Sequence, residues 1–328
     1  MPVRILSLSG GGIRGIFQAV FLREIALQLG TPLRDNFELI AGTSTGALIA
    51  LGVALDVDSA KIVDLFEKHG SEIFPENKRR VSQWTISYAT KGAVYDQTSL
   101  QAALTEVFTG KNGAQLQLKD CKPAVVIPAT TLNRYRMRSF TVLERCGAPA
   151  SMDGELFAAD VALASSAAPI FFPAYRPRGR RASNEQIRTE ERTYVDGALW
   201  ANNPVLQAVM TARRCWGTDF ADMRIVSIGN GEIPAGLMHV DFNNMRRAKM
   251  LKPIMDMMFA TQSELADETV GTLLDDPLFS GARMLRINTQ LDVPIELDDV
   301  KSAIDRLKPL AEAEARSSIG KFRSLLQA

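Results

Sequence analysis

Two short apolar segments, each running through glycines into an apolar helical stretch, fill the beginning of this chain and constrain its fold more than any other feature. Val3-Arg4-Ile5-Leu6-Ser7-Leu8 reads as a buried strand that leads into Gly10-Gly11-Gly12-Ile13-Arg14-Gly15. A helical run follows from about Ile16 to Leu29, in which Phe17, Val20, Phe21, Ile25 and Leu29 recur at helical spacing. Glu38-Leu39-Ile40-Ala41 reads as a second strand, Gly42-Thr43-Ser44-Thr45-Gly46 as its turn, and Ala47 to Leu55 as a buried helix. Strand, turn, helix, repeated, is the opening of a parallel sheet covered on both faces. The expected fold class is therefore α/β, a three-layer sandwich with a mostly parallel central sheet.

Later segments extend the same pattern. Ala124 to Ala129, Met137 to Val142, Thr193 to Val195 ending at Asp196, and Arg224 to Gly229 read as strands. Ala158 to Ser165 and a Met-rich stretch from about Asn244 to Leu274 read as helices, and a final amphipathic helix spans about Val300 to Leu326. Because a strand candidate at Arg283 to Ile287 lies beyond residue 280, the expectation is one domain over 1–328. Its motif-bearing core covers about 3–230, and about 231–328 completes it. Phe74 to Gln97 and the basic stretch Arg176 to Arg192 are the expected loops or lids.

Composition narrows the function classes. The 328 residues are 46% hydrophobic and 23% charged, with a net charge of +1, so no global field draws the chain onto a nucleic acid polymer. Cys121, Cys146 and Cys215 form neither a CxxC pair nor an even-numbered framework, which predicts free thiols in a reducing compartment. Gly46 to Leu55, the longest apolar run, is far shorter than the roughly 20 residues of a membrane span. No signal peptide is read at the start, so the expectation is a cytoplasmic protein that meets membranes only peripherally. No metal-ligand spacing is present, and no cofactor is expected.

The glycine turns carry the chemistry. In Gly42-x-Ser44-x-Gly46, between strand and helix, glycines flank a serine whose oxygen is held out at the carboxyl end of the strand. The bland alternative is a tight turn with an incidental serine. Gly10 to Gly12 leave backbone N–H groups approachable at a helix start, as a tetrahedral oxyanion requires; losing one such donor typically costs about 3–4 kcal/mol. Arg14 stands at the lip of that hole, either orienting a phosphate or pairing with an acidic neighbour. Gly10-x-Gly12-x-x-Gly15 also satisfies the dinucleotide-binding fingerprint. That reading needs an acidic residue at the end of the second strand, where Ala41-Gly42-Thr43-Ser44 stands instead, and it fails there.

The base is less obvious. Of the two histidines, His69 ends an amphipathic helix and His239 follows Gly236-Leu237-Met238, and neither has the glycine and strand signals of a site. Asp196, closing a short strand before Gly197-Ala198 and Asn202-Asn203-Pro204, is the better candidate. An aspartate opening an ordinary turn is the competing reading of that motif alone. Arg134, Arg136 and Arg138, and the arginines from Arg176 to Arg192, read either as solvated loops or as phosphate contacts. The methionines at 250, 255, 257 and 258 read as flexible core packing or as the wall of an acyl channel.

Taken together, these motifs resemble the patatin-like phospholipase family. Gly10-Gly11-Gly12-Ile13-Arg14-Gly15 is similar to its oxyanion-hole motif, Gly42-Thr43-Ser44-Thr45-Gly46 to its nucleophile elbow, and Asp196-Gly197-Ala198 to the motif of its catalytic aspartate. Ala164-Ser165-Ser166-Ala167-Ala168-Pro169 with Phe172-Pro173 also fits, in family order. The resemblance implies a serine acyl hydrolase acting on glycerophospholipids at a bilayer surface through an acyl-enzyme, with Ser44 and Asp196 as the catalytic pair. The alternatives are a soluble esterase or thioesterase, and a catalytically idle regulator that binds lipid or nucleotide. The likeness is closest to compact bacterial members, some of them anti-phage effectors switched on by cyclic oligonucleotides. It therefore implies a cyclic di- or trinucleotide activator and homo-oligomerisation as further expectations.

Overall fold

The computed structural model describes residues 2–76, 92–143, 152–180, 187–232, 250–274 and 283–327. Its strands are β1 (Val3–Leu8), β2 (Leu39–Gly42), β3 (Ala124–Thr131), β4 (Arg136–Val142), β5 (Arg178–Arg180), β6 (Ile187–Thr189), β7 (Tyr194–Asp196), β8 (Met223–Ile228) and β9 (Met284–Ile287). The helices that matter here are α1 (Ile16–Leu29), α2 (Thr45–Ala54), α3 (Ser59–Glu67), α4 (Thr98–Val107), α5 (Ala158–Ser165), α6 (Val205–Trp216), α7 (Leu251–Leu274) and α8 (Val300–Gln327).

Along β1 the side chains alternate between two cores, as the pleat demands. Leu6 and Leu8 join one core with α1, α2, α3 and α8, while Ile5 joins the other with α6 and α7. That is the three-layer arrangement. The main sheet runs β4-β3-β2-β1-β8-β9, and β7 pairs with β3. β1, β2, β3, β8 and β9 are mutually parallel; β4 and β7 are antiparallel to β3.

Local chemistry fixes the helix boundaries. α1 stops at Gly30, whose φ of 69° suits glycine and whose N–H reaches the Ala26 carbonyl at 3.0 Å. Asp58 caps α3 by accepting from the Ala60 N–H at 2.9 Å. All ten residues of α2 are buried, so its stability comes from packing on every side. α8 buries Ala303, Leu307, Ala311, Ala315 and Phe322 at helical spacing, lies along α1, and continues through Pro309.

One register detail positions the site. β2 pairs with β3 only from Ala124 to Val126, so the second half of β3 runs past the end of β2. β7 fills the vacated edge, with Asp196 opposite Ala129 and Tyr194 opposite Thr131. Asp196 is thereby delivered to the carboxyl end of β2, where Ser44 follows.

Several expectations need correction. Arg176 to Arg192 is not simply a loop, since β5 and β6 pair there antiparallel; residues 181–186 lie outside the described residues. Of Phe74 to Gln97, residues 77–91 likewise lie outside them. Cys215 is disulfide-bonded, against the reading of three free thiols; Cys121 is free, and Cys146 lies outside the described residues. Among the described residues, no helix is long and apolar enough to cross a membrane.

Candidate active site

The turn after β2 closes on itself. A Cβ on Gly42 would stand 2.1 Å from the Gly46 carbonyl oxygen, and one on Gly46 would stand 2.3 Å from that of Leu8. Both flanks of Ser44 must therefore be glycine. Ser44 itself has φ 55° and ψ −124°, a conformation that ordinary residues avoid at a cost of about 1–3 kcal/mol.

Neighbouring elements hold it there. The Ser44 N–H donates to Ser165 Oγ at 3.0 Å, and that hydroxyl donates to the Pro128 carbonyl at 2.6 Å. Thr43 Oγ1 donates to the Ala201 carbonyl at 2.6 Å. The same stretch that holds Ser44 holds the carboxylate strand. The Asp196 N–H donates to Ala167 O at 3.0 Å, and the Gly197 N–H to Ser165 O at 3.2 Å. Residues 165–167 thus brace both candidate catalytic groups at once.

The Asp196 side chain is 3% exposed. Its Oδ1 accepts from the Ala198 N–H at 2.7 Å, and the Ser44 side chain is the other polar group that favours its charged form. Burial disfavours that form more than these two groups favour it, so the pKa is pushed up to about 7.

The glycine loop divides into parts. The Gly10 N–H is taken by the Asn202 carbonyl at 2.9 Å, and the Ile13 N–H by Leu297 O at 2.9 Å. Among the described residues, the N–H groups of Gly11 and Gly12 between them meet no acceptor. Gly15 serves packing, for a Cβ there would stand 2.4 Å from Thr45 Oγ1. Of the five residues expected to form the oxyanion hole, Gly10 therefore does not present a free N–H group, because the Asn202 carbonyl uses it. Arg14 is half-buried, its Nε 3.4 Å from the Gly11 carbonyl. Burial lowers its pKa, while the charges of Asp256 and Glu296 pull it the other way.

Ser44, Asp196 and the Gly10–Gly12 loop line a cavity of about 90 Å³ whose other walls are mostly apolar, among them Leu48, Leu65, Phe66, Ile73, Phe74 and Phe172. Met255 and Phe259 of α7 close part of it. Of the four methionines, Met255 lines the cleft and Met257 is exposed, so these two are not core filler. His69 hydrogen-bonds Glu72 across 3.2 Å and does not contact Ser44 or Asp196; His239 lies outside the described residues. Two of the arginines read as phosphate contacts are spent on structure. Arg178 pairs with buried Asp160 at 2.8 Å, and Arg138 pairs with Asp153. Among the described residues, no cluster of three His, Cys, Asp or Glu side chains could hold a metal.

The brace at Ser165 is the functional feature the motifs alone did not reveal. Its block was visible in the sequence, but a serine pointing back at another strand's turn leaves no local signature.

A family profile described as patatin-like phospholipase matches residues 6–209. A Pseudomonas aeruginosa protein named as a cGAMP-activated phospholipase is 28% identical over 92% of this chain and 82% of its own length. A Vibrio cholerae protein of the same name is 32% identical over 69% of this chain and 64% of its own, a little under two thirds. An Escherichia coli protein named as a cUMP-AMP-activated phospholipase is 28% identical over 97% of this chain and 90% of its own.

Proposed function

This chain belongs to the patatin-like phospholipase family, and from that premise we propose that it hydrolyses glycerophospholipid esters with Ser44 as nucleophile and Asp196 as its sole proton acceptor. One observation carries the reading: a serine at a strained strand–helix turn shares a cleft with a buried carboxylate whose charged form the serine side chain favours and whose pKa burial raises to about 7.

The chemistry follows from these groups. As Ser44 Oγ attacks the ester carbonyl, its proton passes to Asp196, and the N–H groups of Gly11 and Gly12 receive the developing oxyanion. Collapse breaks the bond to the leaving alcohol, whose oxygen takes the proton back from Asp196. Water then attacks the acyl-enzyme, again giving its proton to Asp196, and the fatty acid leaves as Ser44 is restored. A carboxylate near pKa 7 is suited to both directions of transfer at neutral pH. The apolar cleft suits an acyl chain.

A cyclic dinucleotide as activator is the second part of the proposal. The three relatives described above carry cyclic dinucleotides in their names, which supports it. The test is hydrolysis of a fluorogenic phospholipid by pure protein, with and without a panel of cyclic dinucleotides. Hydrolysis that needs Ser44 and rises with one member of the panel is the expected outcome. Turnover that persists in folded Ser44→Ala contradicts the nucleophile, and full activity indifferent to every nucleotide contradicts the activator.

A further inference from the structure

We propose that the β3–β4 hairpin tip, Leu132-Asn133-Arg134-Tyr135-Arg136-Met137, docks the protein onto an anionic lipid surface. The inference rests on the phospholipid hydrolase reading and names the surface that such an enzyme would present to its substrate.

Apolar and basic side chains alternate through this tip, and the apolar ones are left in water. Tyr135 is 85% exposed, Met137 71% and Leu132 39%. Single exposed hydrophobics are ordinary, but three within six residues, separated by arginines, form a patch. Arg134 and Arg136 are exposed and make no ion pair among the described residues, unlike Arg138 in the same strand, which is held by Asp153. Exposed Arg192 lies on the neighbouring connection, next to Thr193. Glu190 and Glu191 on that connection offset part of the charge but do not reverse it, since exposed Arg176 also reaches Thr193 Oγ1 at 2.8 Å.

The tip is built to hold its shape. The Leu132 N–H donates to Thr193 O at 2.9 Å, and the Thr193 N–H to Asn133 Oδ1 at 3.2 Å. Pairing of β3 with β4 runs unbroken to Thr131 opposite Arg136. A rigid turn carrying a tyrosine, a methionine and arginines can bury the first two among acyl chains while the guanidiniums stay at the phosphates.

Its place relative to the site is the decisive point. Asp196 lies opposite Ala129, and β3 continues in the same direction to the tip. At roughly 3.3 Å per residue the tip stands about 10–15 Å beyond the carboxylate, off the carboxyl edge of the sheet. A second apolar ridge flanks the cleft on α7. Ile254 is 48% and Met257 47% exposed, beside cleft-lining Met255. A bilayer resting on the tip therefore faces the end of the sheet that holds Ser44.

The test uses full-length protein carrying Ser44→Ala, so that vesicles stay intact, floated with phosphatidylcholine vesicles with or without phosphatidylglycerol. Binding to the anionic vesicles is expected, with at least about tenfold weakening in Arg134→Glu/Arg136→Glu and in Tyr135→Ser/Met137→Ser. In the Ser44 background, both double variants should lose vesicle hydrolysis while a water-soluble short-chain ester is cleaved as before. Vesicle binding that is unchanged in both folded variants, or equal on neutral vesicles, overturns the proposal. Failure of the parent enzyme to cleave either substrate, with the panel of cyclic dinucleotides supplied, would instead count against the hydrolase reading, and flotation would still decide the docking surface.

Discussion

At the scale of single residues, the unusual group is Asp196, a carboxylate 3% exposed whose charged form is favoured only by the Ala198 N–H and the Ser44 side chain. Two consequences follow from its raised pKa. As a base it must be ionised, so kcat/KM should fall about tenfold per pH unit below an apparent pKa near 7, far above the ordinary aspartate value of about 3.9. A pH–rate profile with its acid limb near 4 would contradict that assignment. As a buried charge, it also weakens the fold. The native state binds the extra proton between the unfolded and folded pKa values, so stability falls as pH rises through that window and the full penalty applies above about 7. Asp196→Asn should therefore be inactive yet more heat-stable than the parent at about pH 8, by on the order of 2–4 kcal/mol. The difference should vanish near pH 4. Thermal melts at both pH values check this, and a variant less stable at pH 8 would contradict it.

At the scale of elements, the 165–167 stretch following α5 decides whether the pair is aligned. Ser165 Oγ is the acceptor for the strained Ser44 N–H, and its carbonyl holds Gly197. Ser165→Ala should keep the fold but lower kcat by about tenfold to a hundredfold with KM little changed, because one buried N–H loses its acceptor. Ser165→Thr, which restores a hydroxyl, should recover most of the loss. An equal fall in KM and kcat effects, or no rescue, would make the residue merely structural. The sequence made much of this legible. Glycines flanking Ser44 and the short apolar stretch Val3–Leu8 are local signals, and the resulting β1–turn–α1 and β2–turn–α2 units stand where those signals put them. The pairing of β7 with β3 was not legible, since it depends on β3 outrunning β2 by half its length. Nor could motif matching separate Gly10 from Gly11, because the acceptor that occupies the Gly10 N–H is a carbonyl far along the chain, at Asn202. Likewise Arg138 and Arg178 look like free cations until Asp153 and Asp160 fold against them.

At the scale of the whole molecule, three layers bring strand ends from distant parts of the chain to one edge of one sheet, and the apolar cleft, Ser44, Asp196 and the hairpin tip all belong to that edge. The C-terminal part contributes too, since β9 extends the sheet beside β8, and α7 supplies Met255 and Phe259 to the cleft. Gln262 of α7 donates to the Leu199 carbonyl at 2.9 Å, and Asn203 donates to Asp267 at 2.8 Å, so this helix is fastened directly behind Asp196. Asp267→Ala, by removing that fastening, should lower turnover of long-chain phospholipid severalfold more than that of a short-chain soluble ester. Equal losses on both would contradict a role in closing the acyl cleft. The central claim, a serine activated by an aspartate without histidine, is tested most directly by locating the adduct of a fluorophosphonate by peptide mass spectrometry. The account predicts modification of Ser44, in parent protein and in His69→Ala and His239→Ala at the parent rate, and at least about a hundredfold slower in folded Asp196→Asn. Labelling at another residue, or labelling of Ser44 that survives Asp196→Asn but is lost with either histidine, would contradict it.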